Sequence, residues 1–122
     1  MVDKTFNYGE ISRYLKEFAQ ERDWKKYHTP KNLACALSVE ASELLEIFQW
    51  VSSKDGEYLS NSCPAQKKKI EDEVSDIATY LIRICDILEI DLEAAMRRKF
   101  KENEEKYPAD QVKGSARKYN EY

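Results

Sequence analysis

Apolar residues recur at helical spacing over most of the chain, and this pattern predicts four long helices. Thr29 followed by Pro30 is a typical helix start, because the threonine side chain can cap free backbone N–H groups and proline suits the first turn. Asp91 is a suitable cap for the last helix. With only three glycines and three prolines in 122 residues, the chain has few points at which a helix must end. The helices are predicted over residues 8–22, about 30–51, about 65–88 and 92 to about 106.

The segments outside these helices differ from them in composition. Residues 52–64 contain serine, asparagine, aspartate, glycine and proline and are predicted to form a surface loop. Residues 109–122 have no stable period and are predicted to be a flexible tail. Because 122 residues is the usual size of one domain, residues 1–122 are predicted to form a single all-α domain, a four-helix bundle with its helical core at about 8–107.

The second and third predicted helices carry carboxylates within their apolar faces. At about 100° per residue, Glu40 and Glu43 fall on the apolar face of the second helix. The third helix repeats the arrangement with Glu73 and Asp76, whereas Glu71 projects well away, as a solvated carboxylate should. The apolar positions that define the two faces are Leu33, Leu37, Leu44 and Ile47 in the second helix and Ile70, Ile77 and Ile84 in the third.

Four carboxylates on inward faces are very unfavourable unless they are paired, neutralised or bound to metal. Neither face carries a lysine or arginine between its acids. Oxygen ligands of this kind suit a hard divalent cation, and Mg²⁺ is the natural candidate, with Mn²⁺ as an alternative ion. A second interpretation is that the acids flank the core and reach water at a helix crossing. One ExxE favours that interpretation, since the pattern is common on helices, while two copies in apolar stripes favour metal.

Composition excludes several other classes of protein. A hydrophobic fraction of 42% with 35% charged residues is typical of a globular protein, and the net charge of −3 argues against general nucleic-acid binding. No apolar run approaches the ~20 residues that span a bilayer, so no membrane association is predicted. Cys35, Cys63 and Cys85 are odd in number and lack CxxC spacing, and Cys35 and Cys85 fall within helical patterns and are predicted to be small core residues. This use of cysteine favours a reducing cytoplasm. Zinc is disfavoured because His28 is the only histidine, and no Walker loop is present.

The remaining candidate residues favour phosphoryl chemistry on a nucleotide. Lys99 and Asn103 share one face of the fourth helix, and all-oxygen metal coordination suits phosphate ligands. Trp24 and Trp50 each lie at a boundary of the central helical unit, where a ring could stack on a base. For Trp24, Trp50 and His28 individually, a place in the core or a capping role explains the residue equally well.

The sequence also resembles a known family. The motifs ERDWKKYHTPKNL, EASELLEIFQW, EDEVSDIATYL and KFKENEEKYP are similar to those of the MazG-like all-α nucleoside triphosphate pyrophosphatases. The similarity is strongest to the dCTP pyrophosphatase branch and covers about residues 11–119. The acidic signature alone is moderately specific, and its combination with the other three segments is much more so.

This resemblance implies Mg²⁺-dependent hydrolysis of a (deoxy)nucleoside triphosphate to the monophosphate and pyrophosphate, which cleanses or balances the nucleotide pool. The substrate would be dCTP or a related or modified pyrimidine deoxynucleotide, attacked by a metal-activated water at the α-phosphorus. The family forms dimers and commonly tetramers with sites built across subunits, so a homo-oligomer is expected. By position, the resemblance gives Glu40, Glu43, Glu73 and Asp76 to the metal, Lys99 and Asn103 to the phosphates, Tyr80 to the sugar or phosphates, and Trp24, His28 and Trp50 to the base.

Two departures from the family pattern qualify this expectation. The stretch between Glu43 and Glu73 is long for the family, which indicates an extended loop around Gly56. Leu15 stands where the dCTP branch carries a histidine near the base, so a broader substrate range is open. The alternative hypotheses are a non-catalytic helical module that binds nucleotides or a protein partner, and a purely structural bundle with solvated acids.

Overall fold

The all-α class is confirmed by a computed structural model, which describes residues 5–52 and 54–116 and, at position 58, the backbone only. Six α-helices and no strand occur in these ranges. The four long helices agree with the predicted ones to within about three residues at each end. Most of the predicted tail motif ARKY lies outside the described residues. The helices are α1 Tyr8–Glu21, α2 Pro30–Phe48, α3 Asp55–Ser62, α4 Pro64–Ile87, α5 Leu92–Lys106 and α6 Ala109–Val112, with a 3-10 turn at Lys25–Tyr27.

The predicted helix starts are explained by their side-chain caps. The Thr29 hydroxyl oxygen accepts the backbone N–H of Asn32 at 3.2 Å, and Pro30 takes the first position of α2. The Asp91 carboxylate accepts the N–H of Ala94 at 3.0 Å and starts α5 in the same way. Each cap satisfies a backbone donor that has no partner inside its own helix, so both helix starts are fixed locally.

The loop predicted over residues 52–64 is wrong, because this segment contains α3. Its polar residues start a helix instead of preventing one. The Ser52 hydroxyl donates to the Asp55 carboxylate at 2.7 Å, and the N–H groups of Asp55 and Gly56 both donate to the Ser52 carbonyl. A Cβ atom at Gly56 would lie 3.5 Å from the Phe48 ring, so this residue packs back against the end of α2. The expected extended loop is therefore a short helix that contacts α4 and meets the end of α2 at Gly56.

The chain divides into two compact units, Met1–Glu89 and Ile90–Tyr122. In the first unit α2 packs along α4, and α1 and α3 also contact α4. Residues late in α2 lie opposite residues early in α4, as Ile47 and Gln66 do, so these two helices are antiparallel. The second unit contains α5 and α6. The four-helix bundle and the single domain stay predictions.

The core of the first unit is small. Ala19, Leu33, Ile82 and Cys85 are buried, while the other predicted stripe positions of α2 and α4 are half-buried. The prediction of a core position is confirmed for Cys85 and wrong for Cys35, which is exposed on α2. Three apolar residues spaced seven apart are also exposed, namely Val74 and Leu81 on α4 and Leu88 directly after it. No helix in the described part of the chain is long and apolar enough to cross a membrane.

Candidate active site

The antiparallel packing of α2 and α4 gathers three of the four predicted acids. One carboxylate oxygen from each of Glu40, Glu73 and Asp76 lies within 4.8 Å of the other two. On α4 the two acids are three residues apart, which places them one turn apart on the same face. Glu43 follows Glu40 by one turn on α2 and is exposed beside this cluster. The two acidic motifs therefore meet across one helix pair.

Two buried oxygen atoms of the cluster lack a hydrogen-bond donor among the described residues. The Oε2 atoms of Glu40 and Glu73 are buried and have no hydrogen-bond partner among residues 5–52 and 54–116. A buried oxygen without a donor is costly, and two ionised ones close together add electrostatic repulsion. A divalent cation satisfies both oxygens at once, and an all-carboxylate donor set suits Mg²⁺ or Mn²⁺. The residues present fit such an ion.

The same crowding changes how the acids titrate without metal. The pKa of Glu40 is raised to about 7, first by hydrogen bonds with Glu73 and Glu43, and then by desolvation and their negative charges. The hydrogen bond with Glu40 lowers the pKa of Glu73, but desolvation and the other acids outweigh it and the net direction is upward. Since the two groups titrate as a pair, the metal-free cluster shares a proton near neutral pH. That proton supplies the donor that the buried oxygens otherwise lack.

Tyr80 lies next to the cluster on α4. Burial raises the pKa of its phenol, and the negative charges of Glu40 and Asp76 raise it further. The phenol therefore stays neutral at physiological pH and keeps an O–H group that can donate a hydrogen bond. Tyr80 and Asp76 also line a cavity of about 290 Å³, so the acid cluster and this cavity adjoin.

We call this space the aromatic cavity. It lies between the end of α1, the following turn and the inner face of α4. The rings of Phe18 and Trp24 meet edge to face with centroids 5.8 Å apart, and the rings of Trp24 and His28 are 6.4 Å apart. Trp24 remains 44% exposed, so one part of its ring is open to a ligand. The cavity is lined by Tyr14, Leu15, Phe18, Trp24, His28, Asp76, Thr79, Tyr80 and Arg83.

The segment between α1 and α2, which has no clear period in sequence, is a turn that presents two of these residues. Asp23 adopts a left-handed backbone with φ of 55°, which ends α1 and reverses the chain. The Trp24 N–H then donates to the Ala19 carbonyl at 2.9 Å, which fixes the indole against the last turn of α1. The His28 N–H donates to the Trp24 carbonyl at 3.2 Å, so both rings come from one fixed turn.

Arg83 is a candidate site residue that the sequence interpretation missed. It is 3% exposed and lines the aromatic cavity. Its Nη1 donates to the Asp86 carboxylate at 2.8 Å, and its Nε donates to Nδ1 of His28 at 3.3 Å. A signal was present: Arg83 follows Asp76 by seven residues and Tyr80 by three, which puts it on the same inner face of α4.

A second recess borders the acids on their other side. This polar groove has a volume of about 410 Å³ and lies between the end of α2 and the start of α4. Glu43 and Glu73 both line it, so Glu43 has access to solvent and to any ligand in the groove. The other lining residues are Glu46, Ile47, Gln66, Lys69 and Asp72. The acid cluster is thus accessible from an aromatic side and from a polar side.

Among the other predicted site residues, one lies in the first unit away from the aromatic cavity and two belong to the second unit. Trp50 follows the end of α2, is 89% exposed and does not line the aromatic cavity. Lys99 and Asn103 belong to α5 in the second unit, both exposed. Lys99 Nζ lies 3.5 Å from a carboxylate oxygen of Glu102. The predicted roles of these residues in binding base and phosphates stay predictions.

The chain is similar in sequence to mammalian proteins that share one name. Human dCTP pyrophosphatase 1 is 39% identical over 113 residues, which is 92% of this chain and 65% of that protein. The rat protein of the same name is 37% identical over 112 residues, again 92% of this chain and 65% of the relative. The chain thus spans just under two thirds of the length of these relatives.

A structural neighbour covers nearly all of its own length. The crystal structure of a pyrophosphatase from Archaeoglobus fulgidus matches with a TM-score of 0.75 and 42% identity, over 88% of this chain and 99% of that chain. The model of the MazG-like family matches residues 35–122, which include all four acids. The chain belongs to the MazG-like family.

Proposed function

We propose that the protein is a divalent-cation-dependent nucleoside triphosphate pyrophosphohydrolase. Its substrate would be dCTP or a related or modified pyrimidine deoxynucleotide, and its products the monophosphate and pyrophosphate. The observation that carries the proposal is the pair of buried, unpartnered carboxylate oxygens on Glu40 and Glu73 next to an aromatic cavity. The names of the relatives, dCTP pyrophosphatase and pyrophosphatase, support the same reaction.

The cation would be held by Glu40, Glu73 and Asp76, with Glu43 beside them. When bound, Mg²⁺ supplies electrostatic stabilisation of charge on phosphate oxygens and lowers the pKa of the nucleophilic water. The protein's part is to hold these carboxylates at a fixed separation on two packed helices. Because helices are more rigid than loops, the acids need little rearrangement before they bind the ion.

The acids would also accept the proton that the attacking water loses. In the proposed reaction a water oxygen forms a bond to the α-phosphorus, and the bond from that phosphorus to the bridging oxygen of the β-phosphate breaks. Pyrophosphate leaves with the bonding electron pair. One glutamate of the cluster accepts the proton released by the water, acting as a general base. Glu43 is exposed and can exchange this proton with solvent after each turnover.

The aromatic cavity would hold the nucleoside. The open part of the Trp24 ring can stack on a base, and stacking is tolerant of base identity because every base has a π-face. Tyr80 lies between this cavity and the acids, where its O–H can donate to the sugar or to a phosphate oxygen. His28 would border the base from the turn that also carries Trp24.

A homo-oligomer, either a dimer or a dimer of dimers, completes the proposal. The exposed residues Val74, Leu81 and Leu88 form an apolar stripe along α4 and the residue that follows it, of the kind that commonly marks a contact surface. Trp50, which is almost fully exposed, would be covered in the same way. In such an assembly Trp50, Lys99 and Asn103 would reach a base or phosphates across a subunit interface.

The decisive experiment is pyrophosphate release from a panel of ribo- and deoxynucleoside triphosphates, with Mg²⁺, with Mn²⁺ and with EDTA. We expect release with Mg²⁺, an equal amount of monophosphate and none of the diphosphate, and no release with EDTA. Orthophosphate in place of pyrophosphate would contradict cleavage at the α-phosphorus. Nucleotide binding without any turnover would favour the non-catalytic module.

A further inference from the structure

Arg83 occupies an unusual position for an arginine. It lies between Ile82 and Ile84 in the sequence, and its side chain is almost entirely buried. Its charge is balanced by Asp86, one turn further along α4, at 2.8 Å. Asp86 is partly accessible, so the ion pair extends from the interior to solvent. A buried ion pair of this kind is weak evidence for stability, because apolar residues can replace it at little cost.

The contact with His28 determines which histidine nitrogen carries the proton. Arg83 Nε–H donates to Nδ1 of His28, and a nitrogen that accepts a hydrogen bond has no proton of its own. The proton of the neutral imidazole is therefore on Nε2. Burial lowers the pKa of His28, and the positive charge of Arg83 lowers it further, so the neutral form prevails at physiological pH. His28 thus has one N–H donor available for a ligand.

Arg83 has donors left as well. A guanidinium carries five N–H groups, of which His28 and Asp86 take one each. Within the part of the chain that the structure describes, the hydrogen bonds of Arg83 come from Nε and Nη1, and Nη2 donates to no acceptor. Arg83 and His28 both line the aromatic cavity and contact one another. The cavity is therefore lined in part by two neighbouring side chains that donate hydrogen bonds and cannot accept them. Arg83 has no acceptor atom, and Nδ1 of His28 is already occupied.

We propose that Arg83 and His28 form a pair of donors that reads the edge of the base, and that Arg83 is a specificity-determining residue. This inference rests on the proposed function. Cytosine presents two acceptors on this edge, N3 and O2, and Arg83 and His28 offer only donors to it. Uracil and thymine place an N3–H donor next to O2, so one donor of the protein would face another donor. Such a mismatch leaves buried polar groups unpaired and discriminates strongly.

The donor pair does not depend on position 15, where the chain has leucine and the dCTP branch has histidine. Leu15 also lines the cavity and offers no polar atom to a base. The donors come instead from α4 and from the turn before α2. The chain can therefore select a cytosine base although no histidine stands at position 15.

The test compares kcat/KM for dCTP and dUTP, which differ only on the base edge, so that effects on the sugar, phosphates and metal cancel. We expect wild type to prefer dCTP by about tenfold or more, because a buried polar group left unpaired is costly. In Arg83→Met the ratio should fall towards one, chiefly because KM for dCTP rises. Lys68→Met, which breaks an exposed ion pair with Asp72 on the same helix, should leave the ratio unchanged.

A second measurement does not depend on turnover. His28 is the only histidine, so its side-chain nitrogens give one unambiguous pair of ¹⁵N NMR signals. We expect an unprotonated Nδ1 and a protonated Nε2 near neutral pH. A protonated Nδ1 would overturn the proposal. Binding of dCMP should also be tighter than that of dUMP in wild type, and Arg83→Met should remove this difference.

The outcomes separate this inference from the proposed function. If no deoxynucleotide is hydrolysed, the proposed function fails, and the dCMP and dUMP affinities still decide whether the donor pair reads the base. If dCTP is hydrolysed but wild type prefers dUTP or dGTP, or folded Arg83→Met keeps the full dCTP preference, the inference is wrong. Should Arg83→Met fail to fold, Arg83→Lys decides, because lysine keeps the charge beside Asp86 but lacks the planar fork.

Discussion

The inner face of α4 carries buried polar groups near both ends, and within the described residues the groups at the two ends differ in whether they have hydrogen-bond partners. At one end, Glu73 and Asp76 meet Glu40, and two carboxylate oxygens are buried with no donor in the described part of the chain. At the other end, Arg83 is buried and held by Asp86 and His28. Unpartnered buried oxygens indicate that an ion belongs there. A buried group fixed by two partners has a defined direction, so its remaining donors can discriminate between ligands.

The largest effect that sharpens this comparison comes from the acid end. Glu73→Gln should reduce turnover by more than about 100-fold, the upper end for changing a residue that only supports a metal ligand. The fold should persist, because the change removes one of several like charges. Turnover and Mg²⁺ binding by calorimetry measure the effect. The matched control is Glu71→Gln, an exposed acid two residues away on α4, which should change neither.

The next effect concerns the aromatic cavity. Trp24→Ala should raise KM by about tenfold, since base stacking contributes about 1–3 kcal/mol, while kcat changes less. Trp50→Ala should also raise KM more than it lowers kcat, by a smaller factor. Steady-state kinetics on dCTP compare the two variants. A Trp24→Ala enzyme with normal KM and depressed kcat would place the indole outside the base site.

A third prediction concerns the acid end of α4, where metal-free protein should show a stability that depends on pH. The pKa of Glu40 rises from 4.5 to about 7 on folding, so between these values the folded protein binds more protons than the unfolded chain. Its contribution to stability is fully present below pH 4.5 and is lost as pH rises through 7. Thermal unfolding in EDTA should therefore give a Tm that falls between pH 5 and 8.

Two controls bear on that slope. Glu40→Gln should flatten it, since the amide does not titrate. Saturating Mg²⁺ should raise Tm most at the higher pH, where the acids are ionised and the ion binds only the folded state. A metal-free Tm that rises with pH over this range would contradict proton sharing in the cluster.

The smallest expected effect is at the partner of Arg83. Asp86→Asn keeps a hydrogen-bond acceptor beside the guanidinium but removes the charge that holds it. We expect the ratio of kcat/KM for dCTP and dUTP to fall a few-fold, and less than in Arg83→Met. A larger effect in Asp86→Asn than in Arg83→Met would indicate that the carboxylate itself contacts the base.

Much of this fold could be predicted from the sequence because its determinants are local. Helical periodicity located the four long helices, and the caps at Thr29 and Asp91 act on N–H groups only three residues away. The same reasoning failed for α3, since serine, asparagine, aspartate and glycine favour both turns and helix starts. Two helical turns are also too short to show a clear apolar period.

The acids were predictable for a related reason. Charged residues that interrupt an apolar helix face can be recognised from the sequence of that helix alone. Arg83 also interrupts an apolar face, but its hydrogen-bond partner His28 is 55 residues away in the sequence. No periodicity connects a turn before α2 with the far part of α4. Only the folded arrangement brings the two together.

The continuous helix α4 fixes the distance between the acid cluster and Arg83. Asp76 and Arg83 belong to one continuous helix, and seven residues at 1.5 Å each place them about 10 Å apart along its axis. In the proposed complex, this spacing would separate the site for the phosphates from the site for the base. A free base or inorganic triphosphate would then reach only one of the two sites, whereas a nucleotide would span both. The rigid spacing would then select the substrate by its size before any base edge is read.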